Sequence, residues 1–299
     1  MAQIGIIGSG NVGANTAFFL AERNVCHVCM YDITEGLSTG KALDLMEAAP
    51  LRGYQFGLKG TDDIQQALDS QLLVVAAGEI RSPGQRREDL YDQNARILDE
   101  IAGRLVGYPG VIIVATDPVD PMTMRLVGNG FDRKRVIGLG GVLDSARLRV
   151  LIARELGASQ EDVKATVIGR HSHDMIALPA YCSVAGVPVT KLVSEARFAE
   201  LVEETRQAGD RIVELAQRTG SYYGPAAAAT DVAEAVIRGT NRVLSVSTML
   251  TGQYGIADVA LSLPALIGAG GVERVLEPKL TDDELAQLAK SAASLTTHV

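Results

Sequence analysis

A glycine-rich segment near the start of the chain has the spacing of a nucleotide-binding turn. It follows an apolar run at 4–7 and comprises Gly8, Ser9, Gly10, Asn11, Val12 and Gly13. Glycines in this G-x-G-x-x-G spacing permit a tight turn and let backbone N–H groups approach a pyrophosphate. Asp32 lies nineteen residues past the last glycine, where its carboxylate can accept hydrogen bonds from both hydroxyls of the adenosine ribose. The pattern predicts an NAD site, since that carboxylate would repel the 2′-phosphate of NADP; the alternative is a strand-to-helix turn without a ligand.

Three arginines crowd a second segment that could bind a ligand. Arg81, Arg86 and Arg87 lie in one loop, directly after an apolar run at 72–77. Ligands of open α/β sheets bind at the carboxyl ends of the strands, and guanidinium groups bind carboxylates bidentately. The loop is therefore a candidate lid over an anionic substrate. On charge alone, a solvated basic loop is the favoured interpretation.

Two further segments carry candidate acid–base groups. Asp144 and Arg147 lie three residues apart at the start of a predicted helix, which places them on one side; a helix cap with a surface ion pair is the simpler interpretation. His171 follows an apolar strand and is a candidate general acid or base. His171, His173 and Asp174 lack a further ligand cluster at suitable spacing, so we predict no metal site.

The elements that must position these residues alternate regularly in the first half of the chain. We predict strands at 3–8, 25–31, 54–59, 72–77, 111–116 and 135–138. We predict helices at 11–23, 34–48, 87–106 and 119–128. Unbroken apolar runs are typical of strands buried on both faces, so we expect a parallel sheet with helices on either side.

The pattern changes near residue 143 to longer helical segments. These lie at 145–156, 193–218, 226–236 and 281–294, with strand-like pieces at 163–168, 176–184 and 259–266. The sequence therefore predicts an α/β protein with a doubly wound parallel sheet in residues 1–143. An α+β substrate domain is expected in residues 144–299.

Composition excludes several classes of function. The chain has 299 residues, 47% of them hydrophobic, a net charge of −8 and a pI near 5.1, which argues against nucleic acid and anionic membranes as partners. No apolar stretch approaches the roughly 20 residues of a membrane span, and the first strand begins too early for a signal peptide, so we expect a cytoplasmic protein. Cys26 and Cys29 form a C-x-x-C inside a strand, where they point to opposite faces; we expect buried thiols.

Several motifs together resemble those of the lactate/malate dehydrogenase family, over essentially the whole chain. They are the glycine segment with Asp32, the stretches 81–84 and 87–90 with Asn94, Thr116 to Asp120, Gly141 to Arg147, His171, Leu250 to Gly255 and Lys279 to Glu284. The resemblance implies a Rossmann-type sheet that binds NAD. It favours a functional interpretation of Arg87, Asp144, Arg147 and His171.

The resemblance also implies a role for each candidate side chain. His171 would take the hydroxyl proton of a 2-hydroxy acid while Asp144 holds the imidazole in its tautomer. Arg147 would bind the carboxylate beside the reacting carbon, and Arg87 would polarise the carbonyl oxygen. Arg81 stands where the family distinguishes substrates, and an arginine there is the pattern of members that oxidise (S)-malate to oxaloacetate.

The family pattern extends to the cofactor and to assembly. Asn94, Ala115, Thr116 and Asp117 fall at positions that contact the cofactor, and Asp117 also faces the substrate. The expected partners are a small dicarboxylate and further copies of the chain, as a homodimer or homotetramer.

Two positions depart from the family pattern. Asp117 replaces an asparagine whose amide donates to the substrate. Three alternatives follow: Asp117 is protonated when substrate binds, its side chain turns away from the substrate, or turnover is slowed. His173 replaces the aspartate of a His-Gly-Asp motif, which here is His171-Ser172-His173. The alternatives are a dehydrogenase of lactate or a branched 2-hydroxy acid, and an NAD-binding protein with impaired catalysis.

Overall fold

A mixed sheet forms the centre of the computed structural model, which describes residues 2–86, 88–217 and 219–296. Its parallel part consists of β1 (Gln3–Ile7), β2 (His27–Tyr31), β3 (Leu58–Thr61), β4 (Leu72–Val75), β5 (Val111–Val114) and β6 (Val136–Gly138). The strands lie in the order β3-β2-β1-β4-β5-β6, and every residue of β4 and β5 is buried. The strand order reverses between β1 and β4, which opens a crevice at their carboxyl ends. The predicted doubly wound α/β fold is confirmed.

Helices cover both faces of this sheet. They are α1 (Asn11–Glu22), α2 (Leu37–Arg52), α3 (Ile64–Leu68), α4 (Tyr91–Arg104), α5 (Val119–Gly128), α6 (Gly141–Leu156), α7 (Glu195–Ala216), α8 (Tyr223–Arg238) and α9 (Asp282–Thr296). Successive strand residues alternate between two cores: Ile6 packs on the side of α1 and α8, and Ile7 on the side of α4 and α5. The sheet is therefore buried on both faces, as its apolar runs predict.

The second half of the chain extends the same sheet. Five short strands form two small separate sheets: β7 (Val163–Lys164), β8 (Val167–Ile168), β9 (Ile176–Ala177), β10 (Ser183–Val184) and β11 (Val187–Pro188). The long antiparallel strands β12 (Arg242–Thr251), β13 (Ala257–Gly268) and β14 (Gly271–Val275) join the parallel part where Ser247 of β12 pairs with Gly138 of β6. This junction brings the second half of the chain against the carboxyl end of β6.

The residue ranges of several predicted elements differ from those in the structure. The strand predicted at 54–59 lies at Leu58–Thr61, because α2 continues to Arg52 and ends at Gly53, whose φ is 77°. The strand predicted at 163–168 is divided between two sheets, and that at 176–184 is interrupted by a 3-10 helix that begins at Pro179. Strands β12 and β14 and helix α3 were not predicted. Serines and threonines interrupt the apolar run of β12, which conceals it.

The cysteines are buried, as expected for Cys26 and Cys29. Cys26 and Cys29 are buried in two different cores, and Cys182 is buried as well. Burial raises the pKa of Cys26 to about 12 and that of Cys182 to about 11. No helix in the described part of the chain is long and apolar enough to cross a membrane.

Candidate active site

The glycine turn is closely packed at two glycines and open at the third. A Cβ on Gly8, whose φ is 97°, would lie 2.6 Å from the Ala77 nitrogen, and a Cβ on Gly13 would lie 2.0 Å from the Gly8 carbonyl oxygen. A Cβ on Gly10 would meet no atom within 4 Å. Since α1 begins at Asn11, the N–H groups of its first turn are available beside this open position. The turn therefore has the room and the donors that a pyrophosphate needs.

Asp32 is fixed beside the turn by the backbone. Its Oδ2 accepts from the Ser9 N–H at 2.7 Å, and its Oδ1 accepts from the Thr34 N–H at 3.0 Å. The half-buried carboxylate lines a cleft with about 1020 Å³ of empty space, together with Gly8 and Gly10. An acceptor held at this edge of the cleft suits a ribose diol, so these residues fit the adenosine half of NAD.

A lysine that the sequence did not single out also lies at the turn. The Lys41 ammonium of α2 donates to the carbonyl oxygen of Ser9 at 2.6 Å. Ser9 itself is buried. Lys41 therefore brings a positive charge to the glycine turn, where a pyrophosphate would carry negative charge. A lysine within an amphipathic helix gives no sequence signal for this contact.

A second cleft continues from the first along the strand ends. It has about 850 Å³ of empty space and shares the segment 76–79 with the cleft beside Asp32, which we call the adenosine cleft. Its lining brings together many of the residues predicted separately from the sequence: Val12, Ala115, Thr116, Asp117, Arg81, Arg147 and His171. Residues predicted to bind cofactor and residues predicted to bind substrate therefore line one cleft.

Asn94 lies buried beneath this cleft and ties two loops together. Its Oδ1 accepts from the Glu79 N–H at 2.7 Å, and its Nδ2 donates to the Asp117 carbonyl at 2.6 Å. These bonds join the segments that follow β4 and β5. Asn94 therefore shapes the cleft through the backbone of its neighbours, and direct contact with the cofactor stays a prediction.

A buried histidine–aspartate pair lies at the substrate end of the cleft. His171 Nδ1 lies 2.7 Å from Asp144 Oδ2, and both side chains are about 5% exposed. Asp144 belongs to the first turn of α6, where the helix dipole favours a negative charge. Arg147, one turn further on, donates to Asp144 Oδ1 at 3.4 Å. The carboxylate thus holds the imidazole with one oxygen and contacts a guanidinium with the other.

Asp120 holds the backbone of His171 through a hydrogen bond. Its Oδ2 accepts from the His171 N–H at 2.7 Å, and the Ser247 hydroxyl bonds Oδ1 at 2.6 Å. Burial raises the pKa of Asp120, while Ser247 and His171 act to lower it. The sequence offered one signal for this role that was not used: an aspartate within an otherwise apolar helix start, directly after Pro118 and Val119.

The arginines of the predicted lid differ in their surroundings. Arg81 is 10% exposed, and its Nη1 lies 2.5 Å from Asp210 Oδ1. Arg86 is 77% exposed and pairs with Asp89, so it is the solvated loop residue that charge alone predicts. Arg87 lies outside the described residues. His173 is 65% exposed and its Nε2 lies 2.9 Å from Asp210 Oδ2.

Arg170, the residue before His171, ties the histidine segment to the end of the lid. The Arg170 side chain is 8% exposed and its Nη2 lies 3.0 Å from Glu88 Oε1. The Gly169 N–H donates to the Ser262 carbonyl of β13 at 2.8 Å. Within the described residues, no group of histidine, cysteine or carboxylate side chains has the arrangement of a metal site.

Comparison with known proteins agrees with this geometry. A model of the lactate/malate dehydrogenase NAD-binding domain matches residues 2–138, and a model of the alpha/beta C-terminal domain of the same enzymes matches residues 141–299. The chain belongs to the lactate/malate dehydrogenase family. Like the other members of this family, it is an oxidoreductase that uses NAD. Its glycine turn and Asp32 lie within the residues that the NAD-binding domain model matches.

Individual members of the lactate/malate dehydrogenase family match over their full length. The malate dehydrogenase of Methanosarcina barkeri is 42% identical, over 100% of this chain and 98% of that protein. The crystal structure of Cryptosporidium parvum malate dehydrogenase has a TM-score of 0.97 at 34% identity, covering 100% of this chain and 98% of that one. The lactate dehydrogenase of the same organism, solved with lactic acid and NAD, has a TM-score of 0.95 at 33% identity, covering 99% and 96%.

Proposed function

We propose that this chain interconverts (S)-malate and oxaloacetate with NAD. The observation that carries the proposal is the nearly buried Arg81 guanidinium, which lines the same cleft as His171 and Arg147. Two arginines at one cleft suit a substrate with two carboxylates. The relatives named as malate dehydrogenases support the same substrate.

His171 and Asp144 would move the proton. The Nδ1 of His171 is engaged by Asp144, so Nε2 is the nitrogen that can take the hydroxyl proton during malate oxidation. Asp144 fixes the imidazole tautomer and stabilises the imidazolium that forms. Bound NAD supplies the acceptor for the hydride that leaves C2. In the reverse direction the same imidazolium returns the proton to the carbonyl oxygen.

The arginines would orient the substrate and stabilise charge. Arg147 binds the carboxylate next to the reacting carbon, and Arg81 binds the distal carboxylate. Arg87, in the role the family gives it, polarises the carbonyl oxygen as negative charge develops. With a methyl side group in place of a carboxylate, the N–H donors of Arg81 that Asp210 does not engage would be buried without an acceptor, which gives discrimination against lactate and pyruvate.

The glycine segment 8–13 and Asp32 would hold the adenosine half and the pyrophosphate of NAD. Asn94, Ala115, Thr116 and Asp117 would support the nicotinamide half. The Asp117 carboxylate lines the cleft, where it accepts hydrogen bonds and donates one only when protonated. Its protonation, its rotation away from the substrate and a slow turnover stay open as alternatives.

The organisation of the chain follows the same proposal. Residues 1–143 would form the NAD domain and residues 144–299 the substrate domain, with α6 carrying Asp144 across the boundary. Assembly as a homodimer or homotetramer and a cytoplasmic location stay predictions.

The test is NADH oxidation followed spectrophotometrically with a panel of 2-keto acids. We expect oxaloacetate to have the highest kcat/KM, ahead of pyruvate and branched 2-keto acids. A higher kcat/KM for pyruvate or a branched acid would assign the chain to another 2-hydroxy acid. Binding of NADH without turnover of any acid would make it an NAD-binding protein with impaired catalysis.

A further inference from the structure

Three charged or titratable side chains form a connected row behind the substrate end of the cleft. Asp210 of α7 contacts Arg81 Nη1 through Oδ1 at 2.5 Å and His173 Nε2 through Oδ2 at 2.9 Å. Each carboxylate oxygen of Asp210 therefore has its own partner. One partner belongs to the predicted lid, and the other to the segment that follows His171.

Asp210 contacts Arg81 from outside the cleft that contains His171. Arg81 lines the cleft that contains His171, and it also lines a neighbouring cavity with about 740 Å³ of empty space. Asp210 and His173 line this neighbouring cavity, whereas the α7 residues that line the cleft are Gly209 and Val213. A carboxylate in that place holds the guanidinium without occupying the space of a substrate.

The contact leaves most of the Arg81 guanidinium available. Among the residues that the structure describes, Asp210 is its one hydrogen-bond acceptor, and it engages a single nitrogen. A guanidinium has five N–H donors in a planar fork, so a second carboxylate can bind along another edge. Arg81 can therefore bind Asp210 and a substrate carboxylate together.

The burial of the Arg81 guanidinium explains why it needs a counter-ion such as Asp210. Arg81 is 10% exposed, and a nearly buried guanidinium without a counter-ion is costly. Burial acts to raise the pKa of Asp210, but the hydrogen bond and charge of Arg81, followed by those of His173, lower it overall. The carboxylate therefore stays ionised and keeps Arg81 folded into the site before substrate arrives.

We propose that Asp210 is a positioning residue for the distal carboxylate of the substrate, and that His173 adjusts how strongly Arg81 attracts it. With neutral His173, Arg81 and Asp210 form a neutral pair. With protonated His173, the row carries a net positive charge and attracts a dicarboxylate more strongly. The inference rests on the proposed function, because it needs a substrate with a second carboxylate.

Other charged groups also face His173. Those around the larger cavity are Arg81, Arg86, Glu88, Asp210 and Glu214. A smaller cavity on its other side is lined by Asp144, Arg147, Arg206 and Asp210. Asp174 follows it in the chain. Asp210 is the partner in hydrogen-bond contact with the imidazole, so its removal is the sharpest perturbation.

The first test is Asp210→Asn, assayed with oxaloacetate and with pyruvate. We expect KM for oxaloacetate to rise about tenfold, with kcat, NADH binding and the constants for pyruvate changed by less than about twofold. Glu214→Gln is the matched control, since it removes an exposed carboxylate one turn further along α7 in the same cavity. A parallel change for both acids, or a lower KM for oxaloacetate, would overturn the proposal.

The second test is the pH dependence of the same constants. We expect KM for oxaloacetate in the unmodified enzyme to fall several-fold more than KM for pyruvate when the pH is lowered to a value at which His173 is protonated. His173→Asn should remove that difference. Retention of the full difference in this variant would contradict the role of His173.

A binding measurement separates this inference from the proposed function. Calorimetric titration of the NADH complex compares hydroxymalonate, whose side group is a carboxylate, with oxamate, which carries a single carboxylate. Selective weakening of hydroxymalonate in Asp210→Asn would support the inference. Equal weakening of both ligands would overturn it while leaving the proposed function intact. Absence of oxaloacetate turnover and of hydroxymalonate binding in the unmodified enzyme would reject the proposed function itself.

Discussion

The glycine turn at residues 8–13, the candidate cofactor turn, and the candidate acid–base site around His171 and Asp144 are assembled in opposite ways. The turn uses β1, the first turn of α1 and the end of β2, which are consecutive in the chain. The acid–base site draws His171 from the end of β8, Asp144 from α6 and Asp120 from α5, and Ser247 of β12 supports it. A local motif is therefore enough for the first site, whereas the second depends on how distant elements pair.

The two sites should respond separately to mutation. A change in the turn should alter cofactor binding and leave proton transfer intact, since the two sites share no hydrogen-bonded residue among those discussed above. A change in the acid–base site should do the reverse. The predicted lid belongs to neither site, because its Arg81 donates a hydrogen bond to Asp210 of α7, in the second half of the chain.

The largest effect is expected from Arg81→Gln. The change removes a charge-assisted contact to the distal carboxylate in a water-poor site, so kcat/KM for oxaloacetate should fall on the order of a thousandfold. Pyruvate lacks that carboxylate and should lose nothing. Steady-state assays with both acids check this swing in preference.

Arg86→Gln is the control for the lid. Arg86 is 77% exposed and pairs with Asp89, so its replacement should change little. If both acids lost activity equally in the Arg81 variant, Arg81 would serve only loop closure, and the assignment of malate would lose its main support.

His171→Asn should affect the acid–base site alone. We expect kcat to fall about a hundredfold or more, the scale of acid–base assistance, while NADH binding stays near normal. Fluorescence titration of NADH beside turnover measures both properties in one preparation. Near-native turnover in this variant would remove His171 from the mechanism.

Cofactor choice tests the turn alone. Asp32 is held at the edge of the adenosine cleft by two backbone N–H groups, so it should repel a 2′-phosphate. We expect NAD(H) to be preferred over NADP(H) by at least about tenfold in kcat/KM. Equal use of the two cofactors would show that Asp32 does not discriminate against the 2′-phosphate of NADP(H).

The smallest effect is expected from alkylation of the thiols. The C-x-x-C next to the turn is conspicuous in the sequence, yet burial raises the pKa of Cys26 to about 12 and also raises that of Cys29. The thiolate is the reactive form, so iodoacetamide at neutral pH should leave activity unchanged. Rapid inactivation would show that one of these thiols is accessible and close to the working site.

The parts predicted well from the sequence are those with local causes. Apolar runs buried on both faces predicted the parallel strands, and the glycine spacing with Asp32 predicted the turn. The roles of His171, Asp144 and Arg147 came from motif resemblance, and the structure brings these three side chains together. Their catalytic roles stay predictions until the variants are measured.

The parts that were missed depend on contacts between distant segments. Strand β12 lacks a continuous apolar run because its serines bond to buried groups, as Ser247 does to Asp120. The partnership of Asp210 with Arg81 joins residues 129 positions apart, so no spacing rule finds it. Lys41 reaches the Ser9 carbonyl from another helix, which an amphipathic pattern does not reveal.

The central claim is that the cofactor cleft and the acid–base site act as one, with hydride passing between a nicotinamide and the C2 carbon of a four-carbon dicarboxylate. The most direct measurement uses NADH that carries deuterium at the transferred position, with oxaloacetate as acceptor, followed by mass spectrometry of the product. The account predicts malate with a single deuterium at C2, formed in step with NADH oxidation. Unlabelled malate, or NADH consumption without malate, would contradict it.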